Sequence, residues 1–176
     1  MNLLEFLSDK KVKSKEKTET ISKWLIENKI EINDIVSFAK TTKDATKATC
    51  IEAIEYATKK LPGLLNKNGF YFITESLTSK APRVKWESAR VIGNVAKVFS
   101  ENLDDVIINL LDNSEHEGTV VRWSTAFALG EILKLKTKHN KDLISAIETI
   151  CEREENNSIK KIYADAIKKS FNENKK

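Results

Sequence analysis

Pro82-Arg83-Val84-Lys85-Trp86-Glu87-Ser88-Ala89-Arg90-Val91-Ile92-Gly93-Asn94-Val95 is answered later in the chain by Thr119-Val120-Val121-Arg122-Trp123-Ser124-Thr125-Ala126-Phe127-Ala128-Leu129-Gly130-Glu131-Ile132. The intervals Val84–Val121, Trp86–Trp123, Ala89–Ala126, Gly93–Gly130 and Lys97–Lys134 are each 37 residues. A register held over that many positions marks one supersecondary unit used twice, and a period of roughly 20 to 50 residues is that of stacked repeats.

Working outward, the flanking sequence reads as two more, looser copies. Ala53 to Ala89 is 36 residues, and Ala126 to Ala164 and Val121 to Ile159 are each 38. The expected organisation is an N-terminal segment and capping helix over 1–30, with Ile21, Trp24, Leu25 and Asn28 at helical spacing. Four helix pairs follow, at about 31–61, 69–100, 103–136 and 140–172, and then a frayed tail over 173–176. Asn33, Asp44, Ser79 and Asn157 or Ser158 are expected near helix starts. Leu61-Pro62-Gly63 is expected to end the first long helix.

Composition agrees with a helical chain. Only 5 Gly and 2 Pro occur in 176 residues, with an apolar fraction of 40% and a charged fraction of 32%. No segment alternates apolar and polar residues over strand length. No apolar run reaches the roughly 20 residues that cross a bilayer. Glu5 interrupts the short apolar patch at the N-terminus, and no basic stretch precedes it. A cytoplasmic protein without a signal peptide and without membrane contact is therefore expected. Cys50 and Cys151 are too few for a disulfide framework or a paired-cysteine metal site, and reduced thiols are expected.

The net charge is +4, and of the 30 basic residues only Arg83, Arg90, Arg122 and Arg153 are arginine. Lysine spread along helices is the composition of solvated faces, whereas nucleic-acid binders concentrate their charge. His116 and His139 have no ligand partners at short spacing, so no metal site is expected. No phosphate-binding glycine loop, nucleophile elbow or Cys–His pairing is present. No cofactor is expected, and the reading is non-enzymatic.

The segment Val121–Ile132 resembles the second helix of a HEAT repeat, in particular the short bacterial HEAT-like repeats similar to phycobilisome lyases. Val121, Arg122, Thr125, Ala126, Ala128, Leu129 and Gly130 carry the likeness, and Val84, Lys85, Ser88, Ala89, Val91, Ile92 and Gly93 repeat it with Lys for Arg. The fourth unit departs with Lys160 and Lys168, and the first with Thr49 and Ala57. The resemblance implies an all-α fold, a right-handed α-α superhelix of about four helix pairs behind a capping helix. It also implies an Asp in the turn that bonds the neighbouring Arg, for which Ser79 and Asp112 are the nearest candidates. Finally, it implies that the second helices line a concave groove.

At 100° per residue, Val84, Ser88, Val91, Ile92, Val95 and Phe99 fall on one side as core, leaving Trp86, Arg90, Gly93 and Lys97 opposite. The expected groove holds Trp86, Trp123 and Phe127 at its centre, flanked by Arg83, Arg90 and Asn94. Ile51 and Ile54, with Cys50 beside them, lie at one end, and Glu131, Lys161 and Asp165 at the other. A face rich in Trp, Phe and Arg has the composition of a binding site, so a protein or peptide partner is the leading expectation. Packing of Trp86 and Trp123 as spacers between repeats is the competing reading. A nucleic-acid-binding or alkylpurine-DNA-glycosylase-like protein, using Trp86, Trp123, Arg90 and Asp165, is the alternative function. A monomer or weak homodimer is expected.

Overall fold

In the computed structural model, which describes residues 3–172, helices form where the apolar period of 3.6 predicts them, and no strand occurs among the described residues. The tail over 173–176 lies outside the described residues. In chain order the helices are α1 (Leu3–Ser8), α2 (Ser14–Ile26), α3 (Ile32–Thr41), α4 (Asp44–Lys60), α5 (Lys67–Ser76), α6 (Pro82–Val95), α7 (Asp104–Asn113), α8 (Thr119–Lys134), α9 (Asn140–Arg153) and α10 (Asn157–Asn172). Short 3₁₀ turns occupy Pro62–Leu64 and Ser100–Asn102.

Two layers follow from how much of each helix is apolar or small. Helices α2, α4, α6, α8 and α10 pack side by side in sequence order as an inner row, with α3, α5, α7 and α9 outside it. An inner helix is covered on three sides, and α6 accordingly buries Val84, Glu87, Ser88, Ala89, Val91, Ile92 and Val95. An outer helix is covered on one side, and α9 buries only Leu143, Ile147 and Ile150. The core is continuous along the stack, from Leu7 and Ile21 at one end to Tyr163 and Ala166 at the other. This is the architecture of an armadillo-like α-solenoid.

The close approach of inner helices depends on two glycines in the repeated segments. A Cβ built on Gly93 would stand 2.3 Å from Phe127 Cε1, so the Phe127 ring of α8 occupies the space that a side chain on α6 would need. At Gly130 the nearest neighbour of such a carbon is Ala166 Cβ of α10, at 3.2 Å.

Burial corrects the register of the first unit. Lys47, Lys85, Arg122 and Lys160 are equivalent positions, all half-buried, separated by 38, 37 and 38 residues. Pairing Ala53 with Ala89 sets α4 off by two residues, a rotation of about 200° at 100° per residue. Ile51 and Ile54 are therefore core rather than groove, each at 0% exposure, and Cys50 is buried with them. Glu52 and Tyr56 reach the surface instead. Ser124, next to Trp123 on α8, is turned into the packing and is 1% exposed.

Several helix starts differ from expectation. The Glu31 backbone N–H donates to Asp34 Oδ2 (3.1 Å) at the start of α3, while Asn33 Oδ1 accepts from Asn66 and Asn68 of the next unit. Asn66 caps α5 by accepting from the Gly69 N–H at 2.8 Å, which places Asn68 and Gly69 inside the helix. Asn156 Oδ1 accepts from the Ser158 and Ile159 N–H groups at the start of α10.

Candidate functional site

The inner row leaves one face turned away from the outer helices, and the repeat register places equivalent side chains across it. Arg83, Trp86, Arg90 and Asn94 project from α6; Val120, Trp123, Phe127 and Glu131 from α8; Lys161 and Asp165 from α10; and Glu52 and Tyr56 from α4. These twelve residues divide into two chemically different halves.

The α4–α6 half is polar and tightly bonded. Arg83 Nη2 donates to Glu52 Oε2 at 2.8 Å, and Thr18 Oγ1 of α2 donates to the same oxygen at 2.9 Å. Arg90 lies between two carboxylates, 3.3 Å from Glu55 Oε1 and 3.6 Å from Glu87 Oε2. Trp86 Nε1 donates to Glu87 Oε1 at 2.8 Å. Asn94 Nδ2 donates to the Glu55 carbonyl at 3.1 Å and reaches Thr58 Oγ1 at 3.3 Å. Burial raises the Glu87 carboxyl above its ordinary pKa, against the pull of the Trp86 hydrogen bond and Arg90.

The α8–α10 half is apolar and open. Val120 is 53% exposed and Trp123 42% exposed, one helical turn apart on one face. The Trp123 and Phe127 rings lie nearly parallel, 6.3 Å between centroids with 13° between planes. Phe127 is half-buried because it also fills the Gly93 gap. Beside it runs a trough of about 170 Å³ bounded by Phe127, Gly130 and Glu131 on α8 and by Ile162, Asp165 and Lys169 on α10. Glu131 is ion-paired with Lys134, one turn further along α8.

Of the residues expected in the groove, Arg83, Trp86, Arg90, Asn94, Trp123, Phe127, Glu131, Lys161 and Asp165 share this face, and Ile51 and Ile54 do not. Glu52, Glu55 and Tyr56 escaped the sequence reading. The signal that locates them is the Lys47–Lys85 interval of 38 residues, in place of the Ala53–Ala89 interval of 36.

Apart from this face, a polar ladder holds the units in register. Lys85 Nζ donates to Asn113 Oδ1 at 2.5 Å and to the Leu77 carbonyl at 3.1 Å. Arg122 meets Glu154 through Nε at 2.8 Å and Nη2 at 3.3 Å, and its Nη1 donates to the carbonyls of His116 and Glu117. Asn113 and Glu154 thus take the place expected of Ser79 and Asp112. A cleft of about 340 Å³ lies at these turns, but Arg122 and Arg153, which line it, are already bonded to Glu154 and Glu115. Among the described residues, no three or more His, Cys, Asp or Glu side chains are grouped to hold a metal ion. Burial pushes the Cys50 thiol up to about 12, which leaves it unionised at neutral pH. No helix among the described residues is long and apolar enough to cross a membrane.

No protein-family profile matches the sequence, and no curated protein matches it. Solved structures do resemble it. One is an engineered protein, 16% identical with a TM-score of 0.75, the alignment covering 97% of this chain and 80% of the other. A designed armadillo repeat protein in complex with the peptide (KR)4 is 14% identical with a TM-score of 0.72, again covering 97% and 80%. Computationally designed armadillo repeat proteins for modular peptide recognition are 15% identical with a TM-score of 0.71, covering 97% and 81%. At these identities the likeness is one of fold.

Proposed function

We propose that the chain is a non-enzymatic binding module that takes a protein segment or peptide across the inner helices, with Val120, Trp123 and Phe127 as its apolar anchors. The observation that carries this reading is the exposed Val120–Trp123 pair beside an open trough, on a helix whose other sides are packed. Large aromatic side chains left in water next to a concavity are the usual anchors of an interface. The peptide recognised by designed proteins of the same architecture supports the choice of partner class. The nucleic-acid reading has weaker support, because each of the four arginines already faces a carboxylate of the chain and is engaged before any phosphate arrives.

Selection of a random peptide library on the immobilised protein tests this. Enriched peptides should bind wild type and lose at least tenfold in affinity on Trp123→Ala, a loss of about 1.4 kcal/mol, while the variant keeps its helical circular dichroism. Peptides that bind both proteins equally would show that the anchor lies elsewhere. Loss of the fold in Trp123→Ala would instead make the ring a spacer between repeats.

A further inference from the structure

The outer layer carries a second apolar patch, on the side turned away from the inner row. Tyr71 of α5 and Ile108 of α7 stand at the repeat interval of 37 residues and are 52% and 58% exposed. Asn109 Nδ2 of α7 donates to the Thr74 carbonyl of α5 at 3.3 Å, so the two helices lie edge to edge at this patch. Acids flank it. Asp105 and Asp112 precede and follow Ile108 on the same side of α7, and Glu75 lies one turn beyond Tyr71 on α5. These three carboxylates are exposed and have no side-chain hydrogen bond or ion pair among the described residues. In a chain of net charge +4, α7 has no basic residue at all.

The opposite chemistry is found on α10. This helix packs on α8 and α9 and buries Ile159, Tyr163 and Ala166. A rotation of 100° per residue puts Lys161, Ala164, Lys168 and Phe171 on its other side, and all four are exposed, Phe171 at 61%. Neither lysine is ion-paired among the described residues. The residues of α8 equivalent to Ala164 and Phe171, 38 positions earlier, are Ala126 and Leu133, both fully buried. The open side of α10 is thus built like the packed side of an inner helix, with two cations added. Spacing and sign match those of α7. Asp105 and Asp112 are seven residues apart with Ile108 between them, and Lys161 and Lys168 are seven apart with Ala164 between them. Each pair spans about 10.5 Å of its helix. Contacts between like faces are excluded, because two outer patches would oppose their acids and two α10 faces their lysines.

We propose that the outer α5–α7 patch docks a second copy of this chain through that copy's α10, laid antiparallel to α7. Asp105 then faces Lys168, Asp112 faces Lys161, and Ile108 packs against Ala164, whose small side chain lets the helices approach. The antiparallel setting also opposes the two helix dipoles favourably. Tyr71 and Phe171 add exposed rings to the contact. The interface is heterologous: each copy in a pair keeps one patch or one α10 unused, so association continues past the dimer. It uses a different face from the peptide-binding reading above, and either can fail without the other.

Sedimentation velocity of the chain at about 10–500 μM in low salt tests this. The average mass should rise with concentration past that of a dimer, and association should weaken about tenfold in about 0.5 M salt, which screens exposed pairs. Asp105→Lys/Asp112→Lys and, separately, Lys161→Glu/Lys168→Glu should each weaken association at least tenfold with helical circular dichroism unchanged. The chain carrying all four substitutions should associate again, to within about threefold of wild type, because the pairs are restored with their signs exchanged. A wild-type chain that stays monomeric throughout would overturn the proposal. So would association that ignores both charge reversals, or that both weaken without recovery in the fourfold variant. Association lost on Trp123→Ala instead would place the contact on the inner face and equally overturn it.

Discussion

Gly93→Ala examines the contact that sets the spacing of α6 and α8. The new Cβ would meet Phe127 Cε1, Cδ1 and Cζ at 2.3, 2.7 and 2.9 Å, so the ring must move. Replacing Gly by Ala inside a helix contributes about 1 kcal/mol of stability on its own. Forcing a carbon into a filled space costs about 1–3 kcal/mol. Phe127 is only half-buried and can turn partly towards the trough, which limits the strain, so the net expectation is a loss of roughly 1 kcal/mol. In a Phe127→Ala background the obstruction is gone, and Gly93→Ala should then stabilise by about 1 kcal/mol. The two substitutions are therefore expected to couple by about 2 kcal/mol in a double-mutant cycle measured by urea unfolding. Gly63→Ala is the control. Nothing lies within 4 Å of a Cβ there, and a neutral to slightly stabilising change is expected. Additivity of Gly93→Ala and Phe127→Ala to within about 0.5 kcal/mol would refute the argument that this ring and this glycine form one packing unit.

Arg122→Ala should destabilise by about 3 kcal/mol, because it leaves Glu154, 3% exposed, without its guanidinium partner; the figure is at the low end for a buried pair since Arg122 is itself 21% exposed. Burial works to raise the Glu154 pKa, but the hydrogen bonds from Arg122 and the Asn156 N–H hold it below its ordinary value of 4.5. A lowered carboxylate pKa stabilises the fold above 4.5 and loses that contribution as pH falls through the folded value, so the gap between wild type and Arg122→Ala should narrow in acid. Glu87 has the opposite sign. Its raised pKa favours the fold below 4.5, an advantage lost as pH rises through the folded value, so stability relative to wild type should move in favour of Glu87→Gln as pH increases above 4.5. Guanidinium unfolding series across pH check both slopes, and parallel profiles for the two variants would contradict the assignment. Asn66→Ala removes the α5 cap and one of two Asn33 contacts, with an expected loss of about 1 kcal/mol by thermal unfolding. An unchanged midpoint would show that α5 is held by its packing alone.

How much of this was legible without coordinates depends on the residue. The 37-residue interval is visible because Trp86 and Trp123, Gly93 and Gly130 are rare residue types whose coincidence is hard to miss, and it leads directly to a helical repeat. The open positions of α6, α8 and α10 follow from the same register and a rotation of 100° per residue. Unit one defeated this reasoning because its helix carries apolar or small residues nearly all round, at Ala48, Cys50, Ile51, Ala53, Ile54 and Ala57, so an error of two residues produced no visible conflict. The sequence by itself therefore determined the class of fold, the order of its helices and which residues of α6, α8 and α10 lie on the open face of the inner row. Only the tertiary structure decided the rotation of α4, the choice of Asn113 and Glu154 for the polar ladder, the pairing of Glu52 with Arg83, and the meeting of Glu55 and Glu87 around Arg90. Periodicity is a local property of one helix, written in consecutive residues. Which carboxylate faces which arginine across 31 to 35 positions depends on how two helices are set against each other, and that is settled by packing, such as a phenyl ring lodged on a glycine, rather than by any short-range pattern.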